Sequence, residues 1–446
     1  MSGHPFVARL QGADLVSRTG RVRRILPTYV EADGPSAPLG ALCRLETLVS
    51  PGAPSGFTLA KIVSVERDAV VLARFEDGAP TFSGARVEAC MDAAAVPVGD
   101  AFLGRAVDAL GRPIDGGAAV RALTYRSLEG HPTAPLERAS PNQVLETGVR
   151  AIDSLLTLGQ GQRVGVFAAS GVGKTTLMTQ LAQQVGADCC VVCLVGERGR
   201  EVEAMWSKGL SPEARARTVL VAATSDQAAA MRVRAGEYAL ALAEHWRAEG
   251  RHVLLLLDSV TRLAMAMREI GLAAGEPPTV RAYTPGVFSA IPKLVERCGA
   301  LKSGGAITAV MTVLSETDDV DDPVSEMMKS LLDGHIILSR TLAEQGRYPA
   351  IDIPRSISRL ASELIDAGGR AAAESAVALL STYETARTLI ETGVYVPGAS
   401  ADIDRAIEKR PDLIAFLRQR SDEHTPHTTA RRTLGALMSG GVNVPA

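Results

Sequence analysis

A chain of 446 residues is too long for one ordinary hydrophobic core, so two or three domains are expected. Its 47 basic and 50 acidic side chains leave a net charge of -3, which excludes a global basic field for nucleic acid or an anionic membrane. Aromatic residues make up only 4 %, too few for a base-stacking platform, and no apolar run approaches the ~18 residues of a membrane span.

Residues 1–15 lack the long apolar stretch of a signal peptide, so a cytosolic protein is expected, with its six cysteines as free thiols. Residues 6–15 read as one short helix. Residues 1–95 otherwise read as an all-β domain. Val63 and Val65 alternate with polar neighbours, Glu66-Arg67-Asp68 makes a turn, and Val70-Val71-Leu72 follows. Gly34-Pro35, Pro51-Gly52 and Ala53-Pro54 punctuate the segment. A small closed barrel hides that many short strands.

Residues 96–365 form the second expected domain. Leu103 to Gly116 is a turn-rich entry to it. Val164, Val166 and Phe167 make a short apolar run that fits a buried parallel strand. Gly171 and Gly173 break that run, and Lys174-Thr175-Thr176-Leu177 opens a helix. Strand-like runs follow at 189–195, 219–223, 253–257, 306–313 and 335–338, and helix-like stretches lie at 226–247 and 325–332. This is the βαβ rhythm of a parallel sheet covered by helices. Cys190 and Cys193 have metal-site spacing but sit inside the apolar run, where a buried strand is the better account. Residues 366–446 form a third, helical domain, with amphipathic helices at 371–392 and 404–419. His424 and His427 read as exposed tail residues.

The stretch Ser170-Gly171-Val172-Gly173-Lys174-Thr175-Thr176 carries the clearest chemistry. A glycine loop between strand and helix turns backbone N–H groups inward, and the helix N-terminus adds its positive dipole end. Lys174 can reach β- and γ-phosphates, and the Thr175 hydroxyl can ligate Mg²⁺. Ala168 stands where the phosphate-loop pattern has its first Gly, so an ordinary φ is expected there.

Asp258 ends the apolar run from Val253. Parallel sheets bind ligands at the carboxyl ends of their strands, which puts Asp258 near the metal, holding it through water. Glu197 follows the strand after the loop helix, where a carboxylate can orient an attacking water. On the Gly196-to-Glu201 stretch alone, a solvated charged turn reads as well. Tyr348 could stack on adenine and Arg359 could meet phosphate, but spacing alone makes both surface-loop residues.

Several motifs occur together and in order. They are the phosphate loop, Gly196-Glu-Arg-Gly-Arg-Glu-Val, Asp258-Ser-Val-Thr-Arg and Leu314-Ser-Glu-Thr-Asp-Asp, then Leu332-Asp-Gly-His-Ile-Ile-Leu-Ser-Arg, Tyr348-Pro-Ala-Ile-Asp-Ile and Ser358-Arg359. With them, residues 20–420 closely resemble the flagellar and type III secretion export ATPases, themselves similar to subunits of the rotary ATP synthases. The Ala168 departure is one this family commonly shows. The resemblance implies a RecA-like α/β P-loop core with a small N-terminal β-barrel and a C-terminal helical domain. It implies ATP and Mg²⁺ as ligands and ATP hydrolysis coupled to protein export. Residue by residue, Lys174 and Thr175 bind phosphate and metal, Glu197 activates water, and Arg198 supports the site. Asp258 joins the metal shell with Arg262 nearby, Tyr348 stacks on adenine, and Arg359 serves a neighbouring subunit as an arginine finger.

The implied assembly is a homohexamer with a central stalk protein, a stator or regulator protein at the N-terminal region, and export substrates with their chaperones. It sits in the cytoplasm, peripheral to the export gate of the inner membrane. Motif texture leans toward the flagellar branch. A catalytic subunit of a rotary ATP synthase-like complex is the alternative. A hexameric RNA translocase would need a basic, aromatic-bearing surface, and a non-catalytic P-loop subunit would lack Glu197.

Overall fold

The computed structural model describes residues 17–48, 56–76, 78, 80–90, 95–130, 133–314 and 322–439. The helix expected at 6–15 and the Ser-Glu-Thr-Asp-Asp motif after Leu314 lie outside these residues.

Among the described residues six strands come first: β1 (Thr19–Ile25), β2 (Tyr29–Ala32), β3 (Leu42–Thr47), β4 (Gly56–Val65), β5 (Val70–Arg74) and β6 (Arg86–Cys90). They close into a barrel in the order β1-β2-β5-β4-β3-β6. Alternation does the work: in β4, Thr58, Ala60 and Ile62 point inward while their neighbours stay partly exposed. Val30, Cys43, Leu45, Leu72 and Val87 fill the interior with them. The barrel expected from sequence is therefore present.

The central sheet uses β7 (Ala106–Asp108), β8 (Arg163–Ala168), β9 (Cys189–Val195), β10 (Thr218–Ala223), β11 (His252–Asp258), β12 (Ala306–Leu314), β13 (Gly334–Leu338) and β14 (Ile357–Ser358). Their order is β14-β13-β8-β12-β11-β9-β10-β7. All these pairs are parallel except β13 with β14. β9 is buried at every position, which is what covering both faces demands, and Cys190 and Cys193 are free thiols inside it.

The chain's main helices are α1 (Arg150–Leu155), α2 (Lys174–Gln184), α3 (Gly199–Ser207), α4 (Ala229–Ala248), α5 (Val260–Ala273), α6 (Pro285–Glu296), α7 (Pro323–Leu331), α8 (Ala367–Glu391), α9 (Ala401–Leu417) and α10 (His427–Ser439). Tyr238 and Trp246 of α4 are fully buried against one face of the sheet. The other face shares a core with α2 and the C-terminal helices, through Leu177, Leu181, Leu380, Leu413 and Leu434.

Side-chain caps set several helix starts. Ser259, Asp322, Asp366 and Ser400 each accept a backbone N–H of the first turn. α8 thus begins four residues before the expected 371, because the Asp366 cap overrides Gly368 and Gly369. The turn-rich entry at Leu103 to Gly116 contains the short strand β7.

Candidate active site

In β8, Ala168 pairs with Leu314 of β12 and with Leu338 of β13, so these three carboxyl ends lie side by side. On the far side of β12, β11 ends at Asp258. The glycine loop leaves β8 here. Gly171 and Gly173 have φ of 81° and 96°, the left-handed region where a Cβ is strained, and Gly173 caps α2. Ala168 lies in the strand without a positive φ, as its side chain requires. Val172 is buried, whereas Ser170, Thr175 and Thr176 are exposed.

Three of the expected residues converge beneath this loop. The Lys174 ammonium donates to Asp258 Oδ1 and lies 3.2 Å from Glu197 Oε1. Both carboxylates are buried, at 3 % and 4 % exposure, so the ammonium has almost no competing water. Thr312, from β12, donates to Asp258 Oδ1 at 2.6 Å. Arg262, on the first turns of α5, brings its Nε to 3.3 Å from Glu197 Oε1 without a well-aligned hydrogen bond. That leaves a buried donor directed at the catalytic end of the sheet. Gly196 makes this approach possible: a Cβ there would come within 3.0 Å of the Arg262 side chain.

The donor set fits Mg²⁺. Thr175 offers a hydroxyl and Asp258 a carboxylate, both hard oxygen ligands of the kind a small divalent ion accepts. Among the described residues, no group of three or more His, Cys, Asp or Glu side chains could cage a metal. A cation here would complete its shell with water and phosphate.

Beside the loop lies a cavity of about 780 Å³. Gly173, Thr176 and Leu177 form one wall, Tyr348 a second, and the stretch 418–423 a third. The Tyr348 ring is half exposed and faces Gly173, 3.5 Å from where a Cβ would stand. A flat purine fits such a slot beside a phosphate loop.

The chain has known relatives along most of its length. The nucleotide-binding domain of the ATP synthase alpha/beta family matches residues 148–358, and the C-terminal domain of the T3SS EscN ATPase matches residues 365–436. The flagellum-specific ATP synthase of Bacillus subtilis is 43 % identical over 423 residues, 95 % of this chain and 96 % of that protein. The chain belongs to the flagellar and type III secretion ATPase family. Its identity to the SPI-2 type 3 secretion system ATPase of Salmonella typhimurium is also 43 %, over 91 % of this chain and 92 % of that protein. The assembled ATPase EscN from the enteropathogenic E. coli type III secretion system superposes with a TM-score of 0.87 at 38 % identity, covering 94 % of this chain and 100 % of that one.

Two residues expected at the site of this ATPase stand apart from the Lys174 cluster. Arg198 is exposed at the N-cap of α3 and makes no ion pair with Glu197 or Asp258. Arg359 follows Ser358, which pairs with Gly334, itself opposite Val164 at the amino end of β8. The phosphate loop leaves the other end, roughly 13 Å along the strand by its rise per residue. Arg359 is exposed there and donates to the Lys329 carbonyl at 3.2 Å. A single chain does not bring this guanidinium to its own phosphate loop.

Sequence reasoning missed Thr312 and the 418–423 wall. Thr312 carried a weak signal, being one of two threonines, with Thr308, in an otherwise apolar strand. The wall carried none: only 418 and 419 fall in the helix expected at 404–419, and the polar residues after it suggest no particular use. Of the two expected exposed tail residues, His424 is exposed and His427 is partly buried, and both meet the Glu146 carboxylate, His427 Nδ1 at 2.9 Å and His424 Nε2 at 3.5 Å. That contact pins the start of α10 to the segment before α1.

Proposed function

We propose that this ATPase acts in a homohexameric ring that couples ATP hydrolysis to protein export by a flagellar or type III secretion apparatus. The observation that carries the chemistry is the partly buried Lys174 ammonium held between the buried Glu197 and Asp258 carboxylates at the carboxyl ends of the sheet. Loop N–H groups from Gly171 to Thr175 and the Lys174 ammonium hold the phosphates, with Ser170 and Thr176 at the edges of the cradle. Thr175 and Asp258 would hold Mg²⁺, which when bound neutralises charge on the β- and γ-phosphates. Glu197 accepts a hydrogen bond from the attacking water, the Arg262 guanidinium lies beside that carboxylate, and Arg198, exposed at the N-cap of α3, supports the site from its edge. Tyr348 stacks on the adenine.

The placement of Arg359 supports a site completed by a second copy, which supplies the arginine finger. The structure of EscN with its central stalk EscO supports a stalk protein as partner. The remaining partners on this account are a stator or regulator protein at the N-terminal region, export substrates and chaperones, and the export gate as a peripheral membrane contact. Among the described residues no helix is long and apolar enough to cross a membrane.

Glu197→Gln tests the assignment. It should keep ATP affinity and lose most of kcat, because orienting water matters mainly in the transition state. A raised KM with unchanged kcat would make Glu197 a binding residue and sink the proposed chemistry. Purifying the native complex tests the setting: export-apparatus proteins, not ATP synthase subunits, should co-elute.

A further inference from the structure

The third wall of the cavity is an unusual piece of chain. Arg418-Gln419-Arg420-Ser421-Asp422-Glu423 contains no apolar side chain, so no hydrophobic contact of its own can fix its position. Its place depends on hydrogen bonds. Arg418, Arg420, Ser421 and Asp422 are exposed, and Gln419 alone in the stretch is buried, at 6 % exposure.

Every group of Gln419 that can bond inward does so. Its backbone N–H donates to the Tyr348 carbonyl at 2.9 Å. Its Oε1 accepts the Arg150 N–H at 2.8 Å. Its Nε2 donates to the Gly148 carbonyl at 2.7 Å and to the Glu423 carbonyl at 2.9 Å. The Glu423 carbonyl also accepts from Gln184, on the helix that the phosphate loop opens, at 3.0 Å. Arg150 closes the ring through Glu423 Oε1 at 2.6 Å. One buried amide therefore links Tyr348, the far wall of the cavity and the entry to α1.

We infer that Gln419 is a positioning residue for the base pocket: it sets the spacing between Tyr348 and the 418–423 wall, and so the affinity for the adenine part of ATP. It makes no contact with the glycine loop among its hydrogen bonds, so the phosphate part of the site does not depend on it. The inference rests on reading the cavity beside Tyr348 as the base pocket.

The test compares two ligands on the full-length chain: Mg-ATP, and inorganic tripolyphosphate, which offers phosphates without a base. Gln419→Glu keeps the shape but turns carboxylate oxygens toward the Gly148 and Glu423 carbonyls. Gln419→Met keeps the volume and removes all three side-chain bonds. Both should raise the ATP Kd roughly tenfold, the effect of one or two lost buried hydrogen bonds. Tripolyphosphate binding should stay within about twofold of wild type, and kcat at saturating ATP should hold while KM rises.

Unchanged ATP affinity in both variants overturns the inference. So does an equal loss for both ligands, because it marks a general structural role rather than a base-pocket one. Tyr348→Ala and Tyr348→Phe are measured alongside. If Tyr348→Ala weakens ATP and Phe does not, the base pocket stands and the Gln419 variants decide the positioning role by themselves. If Tyr348→Ala leaves ATP binding unchanged, the base-pocket reading falls and the positioning role with it.

Discussion

Lys174 is the residue on which the most opposed forces meet. Two carboxylates with little exposure need its ammonium, and so would a bound triphosphate. Removing it therefore does two things. It deletes the phosphate loop's only basic side chain, and it leaves Asp258 and Glu197 buried without a lysine counter-charge. Lys174→Ala should abolish turnover and greatly weaken Mg-ATP binding. Without nucleotide it should also destabilise the fold, since losing one partner of a buried ion pair costs about 3–5 kcal/mol. Calorimetric unfolding together with an ATPase assay checks both, and near-normal hydrolysis by the variant would refute the phosphate-binding role. These charged residues were legible because Glu197 and Asp258 sit at the ends of apolar strands and Lys174 opens a helix directly after a glycine loop. Thr312 and Gln419 were not, because a threonine in a strand and a glutamine after a helix have many commoner uses.

At the scale of elements, the edge strand β7 shows how little sequence can mark a piece of sheet. Ala106-Val107-Asp108 is too short for any alternation to register, yet it lies in register with Leu220-Val221-Ala222 of β10. Asp115 secures its start. That carboxylate accepts Arg105 Nε at 2.7 Å, the Ala106 N–H at 3.1 Å and the Gly117 N–H at 2.9 Å. The Arg105 guanidinium, with these N–H groups, holds the Asp115 carboxyl well below its usual range. A folded-state value below the unfolded one means stability that is present above the unfolded pKa and lost as pH falls. The β7 anchor should therefore weaken progressively below about pH 4. Urea unfolding at about pH 6 and about pH 3 should show Asp115→Asn markedly less stable than wild type at the higher pH and closer to it at the lower. A gap that does not narrow would assign the loss to shape rather than charge. The longer strands needed no such anchor to be read, because 189–195 and 253–257 are continuously apolar. The helix starts were less legible, because capping by Asp366 or Ser400 depends on a side-chain geometry that composition does not reveal.

At the scale of the whole molecule, the C-terminal helices are not an appendage. They share one core with α2; Gln419 and His427 tie them to the segment before α1, and Glu423 ties them to Arg150 at its start. The cavity beside the glycine loop thus draws residues from two of the three expected domains, while Arg359 lines none of its walls. It lies at the amino end of β8, and the loop it would serve leaves the carboxyl end. If catalysis needs this guanidinium, it must come from another copy. An isolated chain should then bind ATP but hydrolyse it poorly, and specific activity should rise with protein concentration as the ring assembles. Arg359→Ala should keep nucleotide binding and assembly and lose activity by on the order of 10³-fold or more, the usual worth of a finger. Mixing Arg359→Ala with Glu197→Gln gives the sharpest test. Where a mutant finger meets a mutant base, both lesions fall on one interface, and another interface is left with a native finger facing a native base. Mixed rings should regain activity that neither parent has. If mixed rings form, each parent is dead and the mixture is dead as well, Arg359 does not act across the interface. Wild-type activity independent of concentration, measured where the protein is monomeric, would reject the shared site outright.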